Sequence, residues 1–338
     1  MTKQFECTKK YEDVRGFAYM PSWGAHGIEV WVLKFDAEKF RYEIRKGKEK
    51  FPSFNTVVLT FSFDAWCTDR EIYNKNVETA MMILKEENLY AVARYFNACF
   101  GVPSYGGYTA ECVHENVMPM YQLYMQDMMK IMKDKLILVH DISNEPLNNT
   151  YGNRWAQERV YRFIKAMHAE IKKVDDRPTT VGTQGYLPED DETMRQGWVN
   201  AAKHDSDEPV INDIAFFDEF LDVITLHPYN VHNVPVEEFE AYIENKLEKL
   251  ETLGKPVLIT ESVWGTPDAE SRKPYLESEL YTYKKFGIGF SCHTLCTSKC
   301  ADCFPPAEAI VPMKGGLYMA FLDKNYEIRP HHEIFNEL

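Results

Sequence analysis

The 338-residue sequence has no run of about 18 apolar residues, no glycine- or proline-rich linker and no low-complexity tract. The first absence argues against a membrane-spanning helix, which needs about 20 apolar residues. The other two leave no mark of a domain boundary. One domain covering 1–338 is therefore the expectation, since barrel folds of about 250 residues and more commonly form a single unit. Basic residues are outnumbered: 38 Lys and Arg stand against 52 Asp and Glu, a formal charge of −14. Nucleic acid and anionic membranes are bound through clustered cations, so neither is an expected partner. Cysteine is sparse, and Cys7, Cys67, Cys99 and Cys112 are scattered singly. That excludes a disulfide-built scaffold and suits reduced thiols. Met1–Arg15 is polar and charged, without an apolar signal-like core, so a cytoplasmic protein is expected.

What the chain does have is hydrophobic material, 45% of its residues, set out in a strand-then-helix rhythm. Short β-rich runs lie at Gly16–Tyr19, Thr56–Phe61, Tyr90–Tyr95, Leu136–Asp141, Thr179–Gly182, Val223–Leu226, Val257–Thr260 and Ile288–Ser291. Between them come stretches of helical period, such as Trp155, Val160, Phe163, Ile164, Met167 and Ile171, or Phe239, Tyr242, Ile243, Leu247 and Leu250. The runs LILVH and PVLIT are nearly continuous apolar segments, as expected of parallel strands covered on both faces. Eight strands alternating with helices predict an α/β fold, a (β/α)₈ TIM barrel. A doubly wound open sheet is the alternative, but Pro21-Ser22-Trp23-Gly24 after the first strand lacks its glycine-rich phosphate loop. Long loops are expected after the third strand (97–115) and the eighth (293–326), and loops of that length usually carry function.

A barrel places its chemistry where strands end. Asn144-Glu145-Pro146 follows the fourth strand, and Glu261 ends the seventh in LITESVWG. Two glutamates on one face supply a proton donor and a second carboxylate to capture an oxocarbenium-like centre, the minimum for glycoside hydrolysis. Proline pushes the residue before it out of the right-handed helical region, so Glu145 is expected at an extended strand end.

These residues resemble those of the clan A glycoside hydrolases, the cellulase-like, family five-like retaining β-glycosidases. The likeness is carried by DISNEPLNN at 141–149, LHPYN at 226–230, KPVLITESVWG at 255–265 and RGFAYMPSWG at 15–24. It implies Glu145 as acid/base, Glu261 as nucleophile, Asn144 as donor to a sugar 2-hydroxyl and Tyr229 as hydrogen-bond partner of the nucleophile. It also implies a β-glycoside or oligosaccharide substrate, with no cofactor and no metal. Three positions depart from the family-five cellulases. Their second strand commonly carries Arg where this chain reads Asn55-Thr56-Val57-Val58-Leu59, their third usually ends in His where this one runs Arg94-Tyr95-Phe96-Asn97, and Trp often ends the eighth where Phe290-Ser291-Cys292-His293 stands here. The departures fall on the walls of the sugar subsite and leave the carboxylate pair intact.

Other residues carry weaker signals. His227 either binds substrate or packs inside the barrel mouth. Trp23, Trp66 and Trp264 follow the first, second and seventh strands; each suits stacking on a sugar face and equally suits a core. Cys292, Cys296, Cys300 and Cys303 have spacings at which thiolates hold zinc or an iron–sulfur cluster, although packed thiols are the plainer reading. Two other functions therefore stand beside the hydrolase: a non-catalytic carbohydrate-binding barrel, and a metal-dependent barrel enzyme using the Cys292–Cys303 run. The long loops are expected to close one end of a groove and so favour short oligosaccharides.

Overall fold

A computed structural model describes residues 3–97, 108, 110, 112–147, 154–183, 213–230, 234–299 and 318–338. Its strands are β1 (Arg15–Tyr19), β2 (Thr56–Thr60), β3 (Tyr90–Asn97), β4 (Ile137–Asn144), β5 (Thr179–Gly182), β6 (Ile224–Leu226), β7 (Val257–Ile259) and β8 (Phe290–His293). The α-helices among the described residues are α1 (Glu6–Lys9), α2 (Ala37–Lys50), α3 (Phe63–Thr68), α4 (Arg70–Glu86), α5 (Met118–Met132), α6 (Arg154–Lys172), α7 (Asp213–Phe217), α8 (Val236–Glu251) and α9 (Ala269–Phe286). None of them is long and apolar enough to cross a membrane. Asp36, Asp69 and Asp268 start α2, α4 and α9 by accepting a backbone N–H three residues on, which satisfies a donor the helix leaves open.

Hydrogen-bonded neighbours run β5-β4-β3-β2-β1-β8-β7-β6, all parallel. The ring is drawn shut between β5 and β6, where Asp222 N donates to Thr179 O at 2.9 Å. Two threonine hydroxyls add to that seam, Thr180 Oγ1 to Val223 O at 2.8 Å and Thr183 Oγ1 to Thr225 O at 2.6 Å. This is the (β/α)₈ TIM barrel that the alternating pattern predicts. Each expected run holds a strand, but β3, β4 and β8 continue past their expected ends. The residues there still pair in register, Phe96 with Ser143 and Asn97 with Asn144, because polar side chains at a barrel mouth do not end the ladder.

Side chains alternate across each strand, and the two faces differ. Val57, Leu59, Ala91, Ala93, Val257 and Ile259 join the large core between strands and helices. Ala18, Val58, Val92, Val139, Val223 and Leu258 form a separate cluster inside the barrel. Two residues further along the same inward faces stand Arg94, Asp141, Thr225 and Thr260, all buried. The interior thus changes from apolar to polar on approaching the mouth. Close packing at the β1–β8 seam needs glycine, since a Cβ on Gly16 would meet Ser291 Oγ at 2.3 Å.

On the helices Val160, Phe163, Ile164, Met167 and Ile171 are buried as their period predicts, and so are Phe239, Ile243, Leu247 and Leu250. Trp155 departs from the pattern. It is exposed at the start of α6, with the Arg159 guanidinium 4.6 Å from its ring centre. Much of the two expected long loops lies outside the described residues, and with it the expected closure of one end of a groove.

Candidate active site

The polar layer is organised around a buried guanidinium. Arg94 Nε donates to Asp141 Oδ2 at 2.7 Å, and its Nη1 donates to Glu261 Oε1. A buried charge is tolerated when it is paired and hydrogen-bonded on all sides. Asp141 is pinned in turn, because its Oδ1 accepts Gly182 N at 3.0 Å. Arg94 therefore reaches Glu261 from β3. The sequence comparison looks for such an arginine on β2 and passes over this one. The available signal was a lone arginine inside the apolar run AVARYF.

Glu261 stands just past β7 and has both oxygens engaged, Oε2 accepting Tyr229 OH at 2.7 Å. Burial by itself would raise the pKa of its carboxyl. The positive charges of His227 and Arg94 and the Tyr229 hydrogen bond outweigh that, holding it well below the usual carboxylate range. The group is an anion held in one orientation.

Glu145 lies one residue beyond β4. It is not extended, as expected, but has φ of +42°, a left-handed conformation that a non-glycine residue adopts at a cost of about 1–3 kcal/mol. Proline does keep it out of the right-handed region. Two contacts then fix the turn: Glu145 N donates to Gly182 O at 2.7 Å, and Oε1 lies 2.8 Å from His227 Nδ1. The other ring nitrogen of His227 is 3.0 Å from Thr260 Oγ1. Burial would make His227 less basic, but the carboxylates of Glu261 and Glu145 outweigh it and raise its pKa above the ordinary value. One oxygen of each glutamate and one His227 nitrogen lie within 4.8 Å of one another.

The remaining expected residues divide. Asn144 is buried next to Glu145 at the end of β4; its Nδ2 donates to Asn97 Oδ1 at 3.2 Å, and its Oδ1 has no hydrogen-bond partner among the described residues. Trp264 is half-buried, edge-on to Tyr229 at 5.3 Å between ring centres and tilted against His293 at 5.7 Å. Trp66 is a packing residue instead. Its indole N–H donates to Asp127 on α5 at 3.2 Å, and its ring stacks on Phe63. Trp23 belongs to the core between strands and helices, with the Lys39 ammonium 6.0 Å over its ring. Among the described residues no hydrogen bond or ring contact joins Trp23 or Trp66 to the carboxylates.

Cys292 and Cys296 are buried in the hydrophobic core as free thiols, and burial pushes both far above the ordinary thiol range. That environment opposes thiolate ligation. Cys300 and Cys303 lie outside the described residues. Among the described residues the His, Cys, Asp and Glu atoms close enough to share a metal are those of Glu145, His227 and Glu261. Both Glu261 oxygens are already taken, and the adjacent Arg94 guanidinium opposes a second cation.

Behind the mouth, α9 carries two residues that sequence reasoning passed over. Glu279 accepts Asn230 N at 2.9 Å, Val263 N at 2.7 Å and Tyr283 OH at 3.0 Å. Arg272 Nη2 donates to Val263 O at 2.9 Å and His293 O at 3.0 Å. Val263 has φ of +59°, unusual for a β-branched residue, and this pair of side chains clamps it from both ends.

A family description, Cellulase (glycosyl hydrolase family 5), matches residues 49–296. The chain belongs to glycosyl hydrolase family 5. No curated protein matches this family 5 sequence. Among solved structures it is similar to an exo-β-1,4-mannosidase from Opitutaceae bacterium strain TAV5, with TM-score 0.68 and 14% identity over 96% of this chain and 58% of that one. It is similar to GH5_18 from Streptomyces cattleya, solved with GlcNAc, at TM-score 0.66 and 14% identity, covering 96% of this chain and 79% of that one. An endo-1,4-β-D-mannanase from Thermotoga petrophila RKU-1 follows at TM-score 0.61 and 13% identity, covering 88% and 94%. At such identities the likeness shows the fold, and the chain spans a little over half the length of the first of these structures.

Proposed function

We propose that this family 5 chain is a retaining β-glycoside hydrolase with Glu145 as acid/base and Glu261 as nucleophile. The observation that carries the reading is the spacing of the pair: one oxygen of each lies within 4.8 Å of the other at the mouth of one barrel. Retaining pairs stand about 5–5.5 Å apart, whereas inverting pairs leave about 6.5–9.5 Å for a water. In the first step Glu261 Oε attacks the anomeric carbon as Glu145 gives its proton to the departing glycosidic oxygen. The ionised Glu145 then takes a proton from water, which displaces Glu261 and returns the sugar with its β configuration. Asn144 would donate to the sugar 2-hydroxyl, Tyr229 holds the nucleophile, and Trp264, edge-on to Tyr229, would form a subsite wall. Two of the named structural neighbours act on β-1,4-mannosides by their titles, which puts β-mannosides first in a substrate panel of short oligosaccharides. Free thiols among the described residues suit a reducing, cytoplasmic setting.

Proton NMR of the earliest product tests the mechanism. The β-anomer is expected first, and a 2-fluoro glycoside is expected to label Glu261. An α-anomer appearing first from a β-linked substrate, or label on another carboxylate, would overturn it.

A further inference from the structure

His293 closes β8, and its register partner is Ala18, a member of the cluster inside the barrel. Parallel partners face the same side, so the imidazole enters the barrel mouth. Its backbone is held on both sides: the N–H donates to Ser262 O at 2.9 Å and the carbonyl accepts Arg272 Nη2 at 3.0 Å. The ring leans on Trp264. Its Nδ1 lies 2.8 Å from Met319 Sδ. A thioether has lone pairs and no proton to give, so Nδ1 carries the ring proton and Nε2 is left with an open lone pair. Among the described residues Nε2 has no hydrogen-bond partner, although the residue is only 6% exposed. The ring is also kept neutral. Burial pushes its pKa down to about 4, with Arg94, Arg272 and His227 adding to that against the pull of Glu261.

A neutral acceptor that opens into the mouth beside the nucleophile calls for a donor from the ligand, because a ligand that displaces water from it without offering a proton leaves it unpaired. We propose that His293 determines sugar specificity, its Nε2 accepting a hydrogen bond from one hydroxyl of the sugar ring that sits over Glu261. This rests on the glycosidase reading. The ligand class is the β-glycoside of a neutral sugar. A uronic acid would bring a carboxylate, which offers no proton, to a mouth that already holds Asp141, Glu145 and Glu261.

The test uses aryl β-glycosides of the best parent sugar, with each ring hydroxyl except the 2-hydroxyl, where fluorine traps the enzyme, replaced in turn by hydrogen or by fluorine, which cannot donate. His293→Phe is expected to lower kcat/KM on the parent by about 10- to 100-fold. One deoxy and the matching fluoro glycoside are expected to lose as much with the wild type and little more with the variant, the non-additivity that marks a direct pair. His293→Gln, which keeps an acceptor oxygen, is expected to restore part of the loss at that hydroxyl alone, and it carries the test if the Phe variant does not fold. An equal loss across every deoxy compound would overturn the proposal and leave His293 a packing residue. Failure of the underlying reading looks different, since the wild type itself would then turn over no glycoside.

Discussion

A proton donor next to an ionised nucleophile must be neutral when the sugar arrives, and at the scale of single residues His227 is the group in contact with both carboxylates. Its Nδ1 lies 2.8 Å from Glu145 Oε1 and 3.9 Å from Glu261 Oε2, so the imidazole sits between the two carboxylates. Glu261 is ionised through the ordinary acid range because its carboxyl is held low. The alkaline limb of kcat/KM then reports loss of the last proton from this cluster. With His227 raised, that limb is expected above the ordinary histidine value of about 6.5. In His227→Gln that titrating ring is gone, and the limb is expected to shift; a limb that stays in place would show that His227 plays no part in setting it. Glu145→Ala removes the donor itself. Substrates with poor leaving groups are expected to slow by about 100- to 10,000-fold, and activated aryl glycosides, whose departure needs little protonation, far less. Equal losses on both kinds of substrate would mean that Glu145 is not the acid.

At the scale of elements, α9 is what keeps the loops after β6, β7 and β8 in step. Asn230 adjoins Tyr229, and Val263 lies between Glu261 and Trp264, so the Glu279 carboxylate fixes the two segments that orient the nucleophile. Glutamine has one acceptor oxygen where Glu279 uses two. Glu279→Gln is therefore expected to leave one buried N–H unpaired, at a cost of about 1–3 kcal/mol in stability. Its kcat is expected to fall about tenfold through the loosened Tyr229–Glu261 contact, a drop of about 1.4 kcal/mol in transition-state stabilisation. Thermal melting and single-turnover rates read the two effects separately, and a variant as active as the wild type would strike out the positioning role. None of this was visible in the sequence, where Glu279 is one of three glutamates in a helix of mixed charge. Local pattern reveals what depends on local period. The eight strands, the helices behind them and the two glutamates at strand ends all follow from runs of a few residues. Arg94, Glu279 and His293 get their meaning from partners far along the chain, and for Trp66 the sequence places the residue after β2 without showing that its indole turns to Asp127. Glu145 was legible as a residue and misjudged as a conformation, because the Gly182 and His227 contacts that bend it come from β5 and β6.

At the scale of the whole molecule, the excess of acid has its own consequence for stability. Most carboxylates are exposed, and protonating them on the way from neutral pH relieves mutual repulsion in a chain of net charge −14. Asp127 acts in the opposite sense. Its side chain is buried where α3, α4 and α5 meet, accepting Arg70 Nε at 2.6 Å and Nη2 at 2.9 Å, Asn74 Nδ2 at 2.9 Å and Trp66 Nε1 at 3.2 Å. Burial would raise its pKa, but these donors outweigh it and bring the carboxyl down to about 2. A folded pKa below the unfolded value of about 3.9 means that the folded state favours the anion. The stabilisation is fully present above about pH 4 and fades as pH falls toward 2. After allowing for the half-exposed Arg70, it amounts to about 1–2 kcal/mol. Asp127→Asn is accordingly expected to melt below the wild type at pH 6 by about 2–3 °C, with the gap narrowing as pH drops below 4 and nearly closing by pH 2. Melting curves at half-unit steps between pH 6 and pH 2 measure this directly. A gap of constant size across that range would show that the three helices are joined at Asp127 by shape and not by its charge.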